Sequence, residues 1–237
     1  MSIAFISDLH LEPIENNRVI SFFKFLDNAI YKYEELYILG DFFEYWIGDD
    51  DTQPINKLIM QKLKHASNDG LRIYFIHGNR DFLVGSDFQS ETGIRILKDQ
   101  YTFNLEDKKI MIAHGDTFCV DDVEYQEMKR EIRSDSWKKD FLAKSIDERV
   151  NFANELRARS AERNINKPEN IMDVNDDYVL DIIQKEKIDI LIHGHTHRPG
   201  IHNLSNGSIR AVLGSWEEEG WAAEYTNGNL ELISFSI

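Results

Sequence analysis

Seven side chains of the kind that hold metal ions stand in five short stretches: Asp8 with His10, Asp41, Asn79, His114, and His195 with His197. The set holds imidazoles, carboxylates and one amide, and no thiolate. Such donors suit Mn²⁺, Mg²⁺, Fe²⁺ or Zn²⁺ and disfavour soft-metal chemistry. Seven ligands exceed what one tetrahedral ion takes, but they fit two ions sharing a bridging carboxylate. Ions roughly 3.5–4 Å apart clamp a phosphoryl group and generate hydroxide from water. A single histidine is more often structural than a ligand, and an aspartate after a strand is often only a helix cap. Five such clusters at five strand ends argue for a shared site instead.

The elements that must position these residues follow the same pattern five times. Short apolar runs at Ile3–Ile6, Leu36–Leu39, Ile73–Ile76, Ile110–Ala113 and Ile190–Ile192 each end in one of the polar clusters. Runs this short and rich in β-formers predict buried strands. Between the early ones, Val19, Phe22, Phe23, Leu26, Ile30 and Tyr33 recur at helical spacing, as do Ile55, Leu58, Ile59, Leu63 and Ala66 before Gly70. Strand–helix–strand alternation predicts an α/β core, in which ligand sites lie beyond the carboxyl ends of the strands. Three further strands are expected at Arg210–Leu213, Trp221–Tyr225 and Leu230–Phe235, with Asn227-Gly228 turning the last two into a hairpin. The polar stretch from about 120 to 175 breaks the alternation and predicts a helical insertion within one domain spanning 1–237.

Composition removes other classes. No run of 18 apolar residues predicts a membrane span, and no basic segment precedes the first apolar stretch as a signal peptide requires. One cysteine, Cys119, excludes an internal disulfide framework and fits a reducing compartment. A net charge of −15 argues against sequence-independent nucleic-acid binding. The charge is uneven, however. Between Lys129 and Lys167 stand 11 Lys/Arg against 7 Asp/Glu, which leaves 16 against 35 elsewhere. A basic block in an acidic chain predicts that this segment meets an anion.

The motifs Asp8-Leu9-His10, Gly40-Asp41-Phe42-Phe43-Glu44, Gly78-Asn79-Arg80-Asp81, His114-Gly115-Asp116 and Gly194-His195-Thr196-His197 resemble, in order, those of the calcineurin-like metallophosphoesterases. The resemblance implies a sandwich of two mixed β-sheets flanked by helices, with a dinuclear site. Carried over by motif, Asp8, His10, Asp41 and His197 would bind one ion. Asp41, Asn79, His114 and His195 would bind the other, with Asp41 bridging.

Arg80 departs from a superfamily pattern in which a histidine, a candidate general acid, often stands at this position. Arginine stays protonated and cannot shuttle a proton, but it grips phosphate oxygens and stabilises developing charge. A site without that acid suits a leaving group that needs no protonation, such as the phosphate released from a pyrophosphate. A purely structural Arg80 would pair with the adjacent Asp81. The longer motifs 40–51, 78–83 and 114–122 further resemble a subfamily, the UDP-2,3-diacylglucosamine diphosphatases of lipid A biosynthesis. That resemblance implies hydrolysis to UMP and 2,3-diacylglucosamine 1-phosphate with two Mn²⁺ per chain. It also implies a lipid-linked UDP-sugar as substrate for a monomer bound peripherally at the cytoplasmic side of the bacterial inner membrane. Arg80 and Asp41 would serve catalysis. Asn79, Arg80, Asp122, Ser160, Asn164, Lys167 and His195 would meet the substrate.

Within the insertion, Ser160, Asn164 and Lys167 would share one face of a helix. Trp137 with Phe141, and Ile146 with Val150 and Ala153, form apolar stripes, to which Leu142 and Leu156 add. Over the active site, such stripes favour an acyl-binding cleft over core packing. Asp122 would otherwise only cap the helix after it, and Asp49–Asp51 reads as a solvated turn. The competing functions are another dinuclear phosphoesterase and a non-catalytic scaffold, which would have no reason to keep all seven ligands.

Overall fold

The computed structural model describes residues 2–51, 53–166 and 169–237, with side chains except those of 160–166, 169 and 170. The sequence alternation resolves into two mixed sheets. The first contains β1 (Ser2–Ile6), β2 (Glu35–Ile38), β3 (Arg72–Phe75) and β4 (Arg95–Ile96), all parallel. β10 (Glu219–Thr226) and β11 (Asn229–Ser236) join it antiparallel, in the order β11-β10-β1-β2-β3-β4. The second contains β5 (Gln100–Leu105), β6 (Lys108–Ala113), β7 (Ile190–His193), β8 (Gly200–Asn203) and β9 (Ile209–Val212), in the order β5-β6-β7-β9-β8.

Period-two alternation assigns each strand's faces. On β1, Ile3 and Phe5 enter the core between the two sheets with Tyr37, Ile110, Ile112 and Ile192. Ala4 and Ile6 face the other way, into the layer beneath α1 (Asn17–Lys32), α2 (Pro54–Asn68) and α3 (Ser86–Thr92). Asn16 caps α1 by accepting from the Val19 amide, and Pro54 starts α2 where a missing N–H costs nothing. Each large side chain fully buried in these layers contributes about 1.5–3 kcal/mol.

The 120–175 segment is helical as expected: α4 (Val123–Ile132), α5 (Asp135–Leu142), α6 (Ile146–Asn166) and α7 (Glu169–Met172). The chain then re-enters the core through α8 (Asp176–Glu186), capped by Asn175 and packed on the outer face of the second sheet through Val179 and Ile183. β4, β5, β8 and α3 were not expected from the sequence.

Candidate metal centre and adjoining cavity

The five strands β1, β2, β3, β6 and β7 end at one edge, and the loops that follow are bonded to one another by backbone. The Asp8 amide donates to Gly40 O at 3.1 Å, His10 N to Asp41 O at 2.9 Å, and Gly194 N to His114 O at 2.7 Å. Close approach explains the glycines. A Cβ on Gly194 would run into Asp8 Oδ2 and Ser7 Oγ, and one on Gly78 into Asp41. The backbone is also strained where the chemistry is. Among the described residues, eight non-glycines have positive φ, and five of them are Asp8, His10, Asp41, His195 and His197. Such conformations persist only where the surroundings fix them, and they cluster at functional sites.

All seven candidate ligands converge. Asp8, His10 and His197 place one donor atom each within 4.8 Å of one another, and so do Asp8, Asp41 and His114. Asp8 is thus common to both groups by geometry. Asn79 Oδ1 lies 3.0 Å from His114 Nε2, and His195 packs against His114 with ring centroids 5.0 Å apart.

The donor set fits divalent cations. His114 Nδ1 donates to Leu39 O at 2.9 Å, and its Nε2 lies 3.0 Å from Asn79 Oδ1 and 3.7 Å from Asp41 Oδ1. Burial opposes a charge on this ring, yet Asp41, Asp8 and Asp116 push its pKa up, and a bound cation would take the place of the Nε2 proton. His10 Nε2 and His197 Nε2 face each other at 3.4 Å. Asp8 Oδ1 is buried and accepts no hydrogen bond, with His197 Nε2 3.4 Å away. Lone pairs gathered this closely in a buried place are held by positive charge. Burial opposes ionisation of Asp8, yet His197, His114 and His10 hold its carboxyl well below the usual range. Burial and the neighbouring His114 push His195 down to about 4, which keeps its ring neutral and able to ligate.

Other motif residues build the frame. Asp81 does not pair with Arg80: its carboxylate accepts from the amides of Gly78 and Phe42, both at 2.8 Å, and holds the second and third loops together. His77 donates to Val84 O and His193 to Gly194 O. Asp49–Asp51 is no solvated turn. Asp49 accepts from Trp46 Nε1 and the Gly85, Asp87 and Phe88 amides at the start of α3. Asp50 binds Arg149 of the insertion, and Asp51 accepts from Gln53 N and Asn56 Nδ2 at the start of α2.

Beside the metal candidates opens a cavity of about 690 Å³. Asn79, Arg80, Asp122 and His195 line it, together with apolar groups of the core and insertion. Asp122 also caps α4 by accepting from Tyr125 N at 3.2 Å, as the alternative reading of it expected. Trp137 stacks on Phe141 at 4.7 Å, and Phe152 closes on both. Phe141, Ala153 and Leu156 reach the cavity as expected, but Leu142, Ile146 and Val150 are not among its lining residues. The face of α6 that lines it carries Phe152, Ala153, Leu156 and Arg157, one residue around the helix from the stripe chosen on hydrophobicity. Ser160 and Asn164 lie outside the described side chains, and Lys167 outside the described residues.

The basic block has a use the sequence did not reveal. Lys129 Nζ lies 2.7 Å from Asp116, and Arg133 bonds Asp99 and the Gly78 carbonyl, each at 2.7 Å. Arg149, 2% exposed, donates to Ile47 O and Asp50, and Arg157 lies 2.6 Å from Glu44. The anions met by these four cations are groups of the protein's own loops. Arg80 is also paired with Glu44, Nη1 to Oε1 at 2.7 Å, while its backbone amide donates to Asp41 Oδ1 at 2.9 Å. Sequence reasoning assigned no role to Glu44, Lys129, Arg133, Arg149 or Phe152; only the charge imbalance hinted at the cations.

Comparison with known proteins agrees with this geometry. The family model for calcineurin-like phosphoesterases matches residues 1–199. A UDP-2,3-diacylglucosamine hydrolase of Pectobacterium carotovorum subsp. carotovorum (strain PC1) is 42% identical, and one of Serratia proteamaculans (strain 568) is 43% identical. Each alignment covers 99% of both chains. Among solved structures, an archaeal phosphodiesterase superposes with a TM-score of 0.54 at 14% identity, covering 99% of this chain and 100% of the other, and so shares its fold. By sequence, strand-end motifs and fold together, the chain belongs to the calcineurin-like phosphoesterase family.

Proposed function

We propose that this chain is a metal-dependent hydrolase that cleaves the pyrophosphate bond of UDP-2,3-diacylglucosamine to UMP and 2,3-diacylglucosamine 1-phosphate. The observation that carries the reading is the continuity of one cavity. Asn79, Arg80 and His195 are among its polar lining groups, and Phe82, Leu83, Trp137, Phe141, Phe152 and Leu156 among its apolar ones. A diphosphate joined to a diacyl sugar needs both kinds of wall, whereas a free nucleotide or a phosphoprotein needs only the first. The named relatives, similar over nearly their full lengths, support the same substrate class.

Bound divalent ions would supply Lewis-acid activation of water and neutralise phosphate charge. Asp8, His10, Asp41, Asn79, His114, His195 and His197 would hold two of them, and Mn²⁺ is the proposed metal. Arg80 would stabilise the attacked phosphate, and a guanidinium donates no proton to a leaving group. Loss of UMP or a sugar phosphate needs no such proton. The chain would act as one domain and as a monomer. It would sit peripherally at the cytoplasmic side of the inner membrane, where a diacyl substrate presents its head group. Among the described residues, no helix is long and apolar enough to cross a membrane.

The test is a substrate panel with added Mn²⁺: UDP-2,3-diacylglucosamine, p-nitrophenyl phosphate and a cyclic nucleotide. Release of UMP from the first, abolished by EDTA, with far slower turnover of the others, is expected. Comparable turnover of all three would point to a general dinuclear phosphoesterase instead.

A further inference from the structure

Glu44 stands in the loop after β2, with its side chain only 9% exposed. Its backbone amide donates to Leu11 O at 3.0 Å, so it is tied to the first loop as well as the second. Three groups from three other segments of the chain meet its carboxylate. Arg80 Nη1 and Arg157 Nη2 lie 2.7 and 2.6 Å from the same oxygen, Oε1. His10 Nδ1 lies 3.3 Å from Oε2, at ion-pair distance but short of full hydrogen-bond alignment. One candidate metal ligand, one cavity-lining arginine of the third loop and one insertion arginine therefore share a single buried counter-charge.

We infer that Glu44 is a positioning residue that joins the metal centre to the insertion, orienting His10 through Oε2 and holding Arg80 and Arg157 together through Oε1. A carboxylate beside Nδ1 favours a proton on that nitrogen and leaves Nε2 free to ligate. Partners of this kind orient and tune metal-bound histidines. Two guanidiniums brought together repel unless a negative charge lies between them, and Glu44 is that charge. Both guanidiniums line the cavity, so an entering phosphate would find them already placed. The part concerning Arg80 rests on the proposed reaction. The links to His10 and α6 do not.

The test is therefore made without substrate. Glu44→Gln keeps the shape and removes the charge. In equilibrium dialysis with Mn²⁺, the expected result is about 10- to 100-fold weaker binding of one ion, the size of effect seen when such partners of a ligand are lost. Hydrogen exchange of α6 should rise in the same variant, with β6 and β7 unchanged. Arg157→Gln should raise α6 exchange alone and leave Mn²⁺ binding intact. The double variant should open α6 no further than either single one, because both changes break the same bond. Mn²⁺ affinity within about twofold of the parent in Glu44→Gln, or unchanged α6 exchange in Arg157→Gln, would overturn the inference. Should Glu44→Gln fail to fold, Glu44→Asp replaces it. Kept charge with shortened reach should then weaken Mn²⁺ binding by less than the roughly 10- to 100-fold expected for Glu44→Gln, and full parental binding with parental α6 exchange would again overturn it. Failure of the substrate panel with these results intact would condemn the substrate assignment and spare the role of Glu44.

Discussion

In the five strand-end loops, polar side chains are fixed by backbone; in the insertion, backbone is fixed by side chains. Asp8, Asp41 and His195 take their places because strained turns, cross-loop amide bonds and glycine contacts leave no alternative. Helices α4 and α6 reach those loops through the ends of long cationic side chains, Lys129, Arg133, Arg149 and Arg157. The first arrangement is rigid to within a bond, as a reaction centre requires. The second is held by charge-assisted contacts at a few points, together with Phe141, Trp137 and Phe152 packed against the core. On the proposed function, a bulky lipid-linked substrate would enter between the insertion and the core, with the chemistry at the loops and recognition of the apolar part at the insertion.

Substitutions separate the two regions. The largest loss is expected from Asp41→Ala. It removes a carboxylate placed for the ions, whose charge stabilisation is worth several kcal/mol, so turnover should fall at least about 1,000-fold. Metal analysis checks the cause, since two retained ions with near-parental turnover would contradict the assignment. Next comes Arg80→Ala, with kcat lowered about 100- to 1,000-fold. Arg80→Lys should recover only part of it, because an ammonium does not reproduce the planar two-point contact. On the insertion side, Arg149→Met breaks the bonds to Ile47 O and Asp50. Amides of α6 should then exchange about 10- to 100-fold faster, while dialysis shows unchanged metal binding. Smaller still, Leu156→Ala should raise KM for a long-acyl substrate by about 10-fold and leave a short-acyl analogue nearly unaffected. Ile146→Ser, off the cavity face, should change either KM by less than about twofold.

The loops were legible in sequence because metal chemistry admits few residue types and each stood directly after an apolar run. The fold's edges were less so. β4 is two residues long and β8 is largely exposed with little apolar pattern, so neither carries a hydrophobic signature. β5 did carry one: Tyr101, Phe103 and Leu105 alternate with exposed Thr102 and Asn104, and that period could have been found. On α6 the most apolar stripe, through Ile146 and Val150, was one position away from the face in use. Neighbouring positions on a helix differ by about 100°, and the used face begins with the buried Arg149, which hydrophobicity alone rejects. The Glu44–Arg157 pair joins residues 113 positions apart, so no local pattern could announce it.

The division of labour is tested most directly by one ratio: kcat/KM for long-acyl UDP-2,3-diacylglucosamine over that for a short-acyl analogue, measured in the parent, Arg80→Ala and Leu156→Ala. The expected result is a ratio unchanged in Arg80→Ala, because both substrates share the phosphate chemistry, and reduced about 10-fold in Leu156→Ala. A ratio that falls in Arg80→Ala, or that stays at the parental value in Leu156→Ala while both rates drop together, would contradict it.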